Sequence, residues 1–388
     1  MRTEPFERTP DFGRDVHCLL GVPVDAVDRQ GALHRIRGAA RRRARCFLST
    51  PNVNFVVAAR TDDGFRRSIV HSDLSVADGM PLVWLAKLLH VPVPERVAGA
   101  TLFEALRDGS EPLSVFFFGG QEGAAARAMT RLNQARREVT CVGSEFPGFG
   151  SVEDMSRPEI IERINAAQPD MLVVSLGARK GQAWIERNRE RLDVPVISHL
   201  GAVVDFASGT QQRAPPWMQK AGLEWLWRIK ERPELWRRYL RDGVALCRLV
   251  ITQVVPLVVQ GVRPAPAGMG DLEVREGAQT FHLRLRGAWT RDGLGPLRYC
   301  LAKARDAGKD VGIDMREVTR VDSAALGLLM LLEGHQRSRG RGFAITSLPA
   351  GLRRVFDYHG ADYLCSGVPR DATSHADLED DFVRDETG

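Results

Sequence analysis

Short apolar runs alternate with longer amphipathic segments between Val22 and about Val204, and this alternation constrains the fold more than any other feature. The runs lie at residues 46–49, 74–77, 114–118, 171–175 and 194–198. They are almost continuously apolar, which is typical of strands buried on both faces of a sheet. Since helical segments such as residues 54–72 separate them, the pattern predicts a Rossmann-like α/β domain with a parallel sheet.

The rest of the chain of 388 residues changes character several times, which suits two or three domains. We expect the α/β domain to occupy residues 15–214. A basic, Trp-rich helical appendage, a Pro- and Gly-rich linker and a smaller α/β domain are predicted at 215–262, 263–270 and 271–368. The polar leader (1–14) and the acidic tail (369–388) are predicted to be disordered.

The bulk composition favours a cytoplasmic protein. Its six cysteines are scattered without a Cys-x-x-Cys pair, so reduced thiols are expected rather than disulfides or a metal site. The polar N-terminus does not read as a signal peptide. The most apolar stretch, residues 243–262, is interrupted by Arg248, which argues against a full membrane span. We predict no metal and no cofactor.

Polar residues follow the first two predicted strands. Thr50, Asn52 and Asn54 come after one strand, and Asp78 comes after the next. Ligands bind at the carboxyl ends of strands in open α/β sheets, where a carboxylate could act as a general base. Helix capping explains either group equally well on spacing alone.

Further candidates follow later strands. Arg96 could offset the charge of a leaving diphosphate, and Gly119 with Gly120 would let the backbone approach a nucleotide. Gln182 and Arg213 lie in two further polar stretches. Each signal is weak by itself, because glycine pairs are common in turns and a single Arg is usually solvated.

The order of these stretches is more specific than any one of them. The chain contains, in sequence, Thr50-Pro-Asn-Val-Asn54, Ala77-Asp-Gly-Met80, Glu95-Arg-Val-Ala-Gly99, Phe118-Gly-Gly120 and Arg213-Ala-Pro215 through Gly222-Leu-Glu-Trp225. Over roughly residues 18–245 it resembles the WecG/TagA/CpsF glycosyltransferases. The resemblance implies inverting transfer of a sugar of the N-acetylmannosamine type, or a related hexose, from a nucleotide diphosphate donor. The implied acceptor is a polyprenyl-diphosphate-linked saccharide in exopolysaccharide or envelope glycan synthesis.

The same resemblance assigns roles to the candidate residues. It makes Asp78 the catalytic base. It makes donor or acceptor contacts of Thr50, Asn52, Asn54, Arg96, Gly119, Gly120, Gln182 and Arg213. One stretch departs from the family, since Gly181 stands where the family has Gln. That contact is then either absent or supplied by Gln182 after a shift of one residue. The α/β domain has no Asp-x-Asp pattern, so metal-independent chemistry is expected.

The appendage combines basic and aromatic residues beside an apolar run. Arg228, Arg237, Arg238 and Arg241 alternate with tryptophans, a pattern that favours peripheral contact with the inner face of the plasma membrane. A soluble helical flap or a dimer interface would account for it as well. Nucleic-acid binding would require a recognisable nucleic-acid fold, which the sequence does not contain.

The last domain resembles the STAS domain over about residues 271–367. The resemblance includes Asp322 and Ser323 at a helix start, where Ser323 is a candidate phosphorylation site and either residue could cap the helix. The family signature Asp-Ser-Ser/Thr-Gly is Asp-Ser-Ala-Ala here, so we expect a protein-binding or regulatory module rather than a phospho-switch. The alternative for the whole chain is a degenerate scaffold within a polysaccharide assembly complex.

Overall fold

The computed structural model describes residues 9–135, 137–261 and 270–366. Most of the predicted linker, the predicted acidic tail and residues 1–8 of the predicted leader lie outside the described residues. Residues 9–14 correct the predicted leader. Phe12 is buried, and the buried guanidinium of Arg14 forms an ion pair of 2.7 Å with Asp25. Because these contacts fix the segment, disorder does not extend to residue 14.

The N-terminal domain is a parallel sheet covered by helices, which confirms the predicted fold class. Its elements in chain order are β1 (Val16–Leu19), β2 (Val22–Asp25), α1 (Arg29–Arg42), β3 (Cys46–Ser49), α2 (Val53–Ala59), α3 (Asp63–Val70), β4 (Leu74–Ser75), α4 (Met80–Leu88), α5 (Gly99–Arg107), β5 (Leu113–Gly119), α6 (Ala124–Gln134), β6 (Val139–Glu145), α7 (Pro158–Ala166), β7 (Met171–Ser175), α8 (Ala178–Asn188), β8 (Val196–His199) and α9 (Val203–Ser208). Six strands form the sheet in the order β4-β3-β8-β7-β5-β6, and β1 pairs with β2 as an antiparallel hairpin.

Except for the edge strand β6, the strands of this sheet are mostly buried because helices cover both faces. All five residues of β7 are buried, for example, as the continuous apolar pattern predicts. The single helix predicted at 54–72 is instead two helices, α2 and α3. Asp62 explains the break, since its side chain accepts a hydrogen bond from the backbone N–H of Phe65 and caps α3.

Residues 216–261, here called the helical arm, lie across the carboxyl edge of the sheet. The arm contains α10 (Pro216–Lys220), α11 (Glu224–Glu231), α12 (Trp236–Leu249), a π-helical turn (Val250–Val254) and α13 (Val255–Gly261). An exposed apolar stripe runs along it, formed by Trp236, Leu240, Val244, Ile251, Val255 and Val259. By length and composition alone, the stretch Pro233–Gln260 could cross a membrane, which is weak evidence because it is a single helix.

The C-terminal domain is a smaller α/β unit. Its elements are β9 (Asp271–Glu276), β10 (Thr280–Trp289), α14 (Gly295–Ala307), β11 (Asp310–Val321), α15 (Ser323–Ser338), β12 (Phe343–Ser347) and α16 (Ala350–His359). The strand order is β12-β11-β10-β9, with β9 antiparallel to β10 and the other pairs parallel. Helix α15 packs against this sheet and also against β1 and α3 of the N-terminal domain.

Candidate active site

A cleft of about 720 Å³ opens at the carboxyl edge of the six-stranded sheet. Its floor is formed by the loops that follow the sheet strands, and α11 and α12 of the helical arm form its other wall. This edge is where open α/β sheets bind ligands. The volume is within the range of small-molecule sites, so a nucleotide-sized ligand fits between the sheet and the arm.

Asp78 lines this cleft, after β4. Its Oδ2 accepts a hydrogen bond of 3.3 Å from the Gly99 backbone N–H, and its Oδ1 lies 3.7 Å from Arg96 Nε. Burial raises the pKa of Asp78, and the Arg96 charge opposes that shift. Asp78 does not cap α4, because the N-cap position is occupied by Gly79 and no side chain caps this helix. The carboxylate is therefore available to the cleft, with 26% of its side chain exposed.

The residues that follow β3 line the same cleft. Thr50 is buried at its base, and Asn54 Nδ2 donates a hydrogen bond of 3.1 Å to Asp242 Oδ2 in α12. Asn52 also lines the cleft, and its Oδ1 accepts a hydrogen bond of 3.3 Å from the Phe55 backbone N–H. The capping hypothesis is thus correct for Asn52, which has a position in the cleft as well.

The helical arm adds positive charge to the cleft. Arg228, Arg232 and Arg238 line it from α11, α12 and the connection between them. Arg232 Nη2 lies 3.1 Å from Asp205 Oδ2, and burial raises the pKa of Asp205 while Arg232 opposes the rise. Burial also acts on Glu224, but Arg96 and Arg228 outweigh it and lower the Glu224 pKa. Together with Arg96 these cations suit an anionic ligand.

The first turn of α8 provides a second source of positive potential. Leu176, Gly177 and Ala178 line the cleft where β7 ends and α8 begins. The first backbone N–H groups of a helix lack intrahelical acceptors and favour phosphate. The N-cap residue is Gly177, which has no side chain that could accept hydrogen bonds from these donors. The arm arginines and the first turn of α8 thus line the same cleft.

Three residues predicted to contact substrate lie outside the cleft. Gly119 lies so close to β7 that a Cβ there would be 2.6 Å from the Ser175 carbonyl oxygen. Of the two glycines, only Gly120 lines the cleft. Gln182 is fully buried and donates a hydrogen bond of 3.0 Å to Ser49 Oγ. Arg213 binds Glu104, Thr101 and Gln219 and thereby ties the segment before the arm to α5.

A histidine that the sequence did not single out explains why residue 181 is a glycine. His199 ends β8, lines the cleft and places its Nε2 2.8 Å from the Leu176 carbonyl oxygen. A Cβ at Gly181 would lie only 2.2 Å from His199 Cδ2. The imidazole therefore occupies the space beside residue 181. Burial lowers the His199 pKa, which favours the neutral ring.

The four arginines predicted to contact a membrane divide into two pairs. Arg237 and Arg241 are exposed, and the side chain of Arg241 is 72% exposed. Arg228 and Arg238 instead line the cleft, which corrects their assignment. The membrane prediction therefore applies only to the exposed pair and to the apolar stripe between Trp236 and Val259.

Ser323 lies outside the cleft, at the boundary between the two domains. It is 9% exposed, and its Oγ lies 2.9 Å from Nδ1 of His17. Asp322 rather than Ser323 caps α15, accepting hydrogen bonds from Ala324 and Ala325. Phosphorylation of Ser323 stays a prediction, and it would require the two domains to separate.

A metal site does not emerge from these side chains. Across residues 9–135, 137–261 and 270–366, no three His, Cys, Asp or Glu side chains gather as ligands would. The cleft presents arginines and helix N–H groups, which favour anionic ligands.

A parallel α/β sheet with a carboxylate and several arginines at its carboxyl edge is typical of enzymes that bind anionic ligands there. The chain belongs to the Glycosyl transferase WecG/TagA/CpsF family, whose model matches residues 17–258. It is therefore a hexosyltransferase of that type. A second model, described as the Mlab, STAS domain, matches residues 272–366.

Two curated relatives bear the same name. The N-acetylglucosaminyldiphosphoundecaprenol N-acetyl-beta-D-mannosaminyltransferase of Bacillus spizizenii is 29% identical over 196 residues, which is 50% of this chain and 74% of the relative. Its counterpart from Bacillus subtilis is 27% identical over 195 residues, with the same two shares covered. The likeness therefore confirms the predicted family and reaction class.

Proposed function

We propose that this protein transfers N-acetylmannosamine, or a closely related hexose, from a nucleotide diphosphate to a polyprenyl-diphosphate-linked saccharide. The observation that carries the proposal is the single cleft that brings Thr50, Asp78 and Arg96 together with the arginines of the arm. The names of the two relatives support the choice of sugar and lipid acceptor. The setting would be exopolysaccharide or envelope glycan synthesis.

Asp78 would act as the general base. Its carboxylate takes the proton of the acceptor hydroxyl while that oxygen attacks the anomeric carbon from the face opposite the diphosphate. The bond from the anomeric carbon to the diphosphate oxygen breaks, the configuration inverts, and the nucleoside diphosphate leaves. Arg96, Arg228 and Arg232 would stabilise the charge that develops on that leaving group.

The reaction is tested by nucleotide release. The purified protein is incubated with UDP- and GDP-sugars and a polyprenyl-diphosphate saccharide mimic. We expect turnover of one UDP-sugar and a loss of about 10²- to 10⁴-fold for Asp78→Asn, typical of removing a general base. Asp193→Asn is the control, because Asp193 is 58% exposed and lies outside the cleft.

Two outcomes would contradict this proposal in different ways. If Asp78→Asn turns over as fast as the unchanged protein, Asp78 is not the base. If the unchanged protein turns over none of the donors, the scaffold alternative is favoured. The pH profile adds a check. Because the base must be ionised and burial raises the Asp78 pKa, turnover should fall on acidification at a pH above that of an ordinary Asp.

We further propose that the arm lies on the inner face of the plasma membrane. Its exposed apolar stripe is flanked by Arg237 and Arg241, which is the arrangement of an interfacial helix. Sedimentation with vesicles of neutral and anionic lipid tests this. Arg237→Gln with Arg241→Gln should weaken binding to anionic vesicles, whereas the exposed pair Arg127→Gln with Arg163→Gln should not. Equal binding of both double variants would exclude this surface.

A further inference from the structure

Helix α15 of the C-terminal domain is covered on two sides. Fourteen of its sixteen residues are buried, from Ser323 to Gln336. One side packs on its own sheet, and the other meets β1 and α3 of the N-terminal domain. Two glycines permit this approach. A Cβ at Gly327 would lie 2.7 Å from the Val16 carbonyl oxygen, and a Cβ at Gly334 would lie 2.6 Å from Val70 Cγ1.

Polar contacts surround this glycine seam. His17 contacts Ser323 at 2.9 Å, and Nε2 of His71 lies 3.1 Å from the Gly334 carbonyl oxygen. Two ion pairs, Arg291 with Asp15 and Arg337 with Asp63, join the domains at its rim at 2.6 and 3.3 Å. A buried interface with paired polar groups and backbone-level contact resembles a protein interior more than a transient docking surface.

Helix α16 of the same domain contacts the helical arm. Nε2 of Gln253, in the π-helical turn, lies 3.3 Å from the Asp357 carbonyl oxygen, and Gln253 is only 8% exposed. Nearby, a Cβ at Gly21 would lie 2.8 Å from the Gly360 carbonyl oxygen. The C-terminal domain therefore contacts the N-terminal domain with α15 and the arm with α16.

Both contacts continue to the cleft. His71 Nδ1 lies 2.6 Å from Glu186 Oε1 in α8, the helix whose first turn lines the cleft. The arm places Arg228, Arg232 and Asp242 in the cleft from the turns that precede Gln253. A shift of the C-terminal domain would therefore move both the α8 wall and the arm wall.

We propose that the C-terminal domain is an intramolecular clamp. Its partner through α15 is the transferase domain of its own chain, and its contact through α16 holds the arm across the cleft. The effect on catalysis rests on the proposed function, since the arm would bind the donor diphosphate. The face that α15 could offer to another protein is already occupied.

Amide hydrogen exchange of the full-length chain tests the clamp without any substrate. Gly327→Val places a branched side chain against the Val16 backbone, so it should open the seam. We expect exchange to rise about tenfold or more in β1, α15 and the arm, as for a unit that opens cooperatively. Gly351→Ala is the matched control, since nothing lies within 4 Å of a Cβ there. A seam that opens while the arm keeps its protection overturns the proposal.

A milder variant removes only the arm contact, in case Gly327→Val does not fold. Gln253→Glu keeps the shape but replaces the donor with a second acceptor facing the Asp357 carbonyl oxygen. We expect about tenfold faster exchange in the arm with the seam still protected, and a several-fold higher KM for the donor. The exposed Gln134→Glu is the control. If amide exchange in the arm is unchanged in Gln253→Glu, the clamp proposal is wrong. Amide exchange can be measured even if the protein turns over no donor, so this outcome is independent of the proposed function.

Discussion

Each of the two domains has an aspartate between a strand and the helix that follows it, and the two carboxylates have different contacts. Asp322 follows β11 and caps α15 with hydrogen bonds of 2.9 and 3.0 Å. Asp78 follows β4, leaves α4 uncapped and faces the cleft. The start of α15 is covered by β1, whereas the start of α4 faces a cleft bridged by the arm. Asp322 stands at the N-cap position itself, whereas Asp78 precedes the N-cap Gly79, so its carboxylate is left to the cleft.

The largest effect expected for a residue of the arm tests the cleft side of this comparison. Arg232→Gln removes the cation that faces Asp205 at 3.1 Å within the cleft. If the arm stabilises the leaving diphosphate, kcat/KM for the donor should fall about a hundredfold, the size of one lost transition-state contact. Steady-state nucleotide release measures it.

A neighbouring arginine provides the control for that measurement. Arg237 is on the same arm but exposed, so Arg237→Gln should leave kcat/KM with a water-soluble acceptor unchanged. Equal losses for both variants would mean that general charge, and not the cleft-facing geometry, accounts for the effect.

Much of the fold follows from the sequence because its signal is local. Strands β3 and β7 begin and end where the apolar runs do, at Cys46–Ser49 and Met171–Ser175. The hairpin of β1 and β2 was not predicted, since its two-residue turn is Leu20-Gly21 and not the Asn-Gly that is typical of such turns. Its first strand, β1, packs on α15, which is about 300 residues distant in the chain.

The site was predicted less completely, for the same reason. Asp78 and Arg96 were found because ordered motifs surround them. The sequence predicts membrane contact for Arg228 and Arg238, but both line the cleft. A basic amphipathic segment does not reveal which of its arginines point toward the protein. His199 carried no signal of its own. Only the structure relates it to the missing side chain at Gly181.

The close approach of His199 to residue 181 gives a prediction for stability. Gly181→Gln restores the family residue but drives its Cβ to within 2.2 Å of the His199 ring. We expect a loss of about 1–3 kcal/mol in the free energy of unfolding, typical of overpacking. His199→Ala should recover most of it in the double variant, as measured by urea unfolding. Gly351→Gln is the matched control, because a Cβ at Gly351 meets nothing within 4 Å. A double variant as unstable as Gly181→Gln alone would argue against the exchange.

Acid should weaken the covered side of the molecule. Burial lowers the pKa of His359 to about 4 and also lowers that of His17, and both lie at the domain boundary. As the pH falls, these two histidines are therefore protonated in the unfolded chain at a higher pH than in the folded protein. Stability is therefore full above about pH 6.5 and falls toward about pH 4, by about 1.4 kcal/mol per pH unit for His359. Urea unfolding at pH 7.5 and 5 measures the loss.

Two substitutions separate this boundary from ordinary surface titration. His359→Phe should reduce the difference in unfolding free energy between the two pH values, because the group that must be protonated is gone. His34→Phe, at an exposed position, should leave the difference as it was. If both variants lose stability on acidification as the unchanged protein does, another group causes the loss.

The smallest expected effect separates the two kinds of helix start directly. Asn52 caps α2 at the edge of the cleft, and Asp322 caps α15 where another domain covers it. Each change to Ala should lower the free energy of unfolding by about 1 kcal/mol, the usual worth of an N-cap. Only Asn52→Ala should also slow nucleotide release, because only that side chain borders the ligand space. Equal slowing by Asp322→Ala would mean that the covered cap acts on the cleft as strongly as the open one.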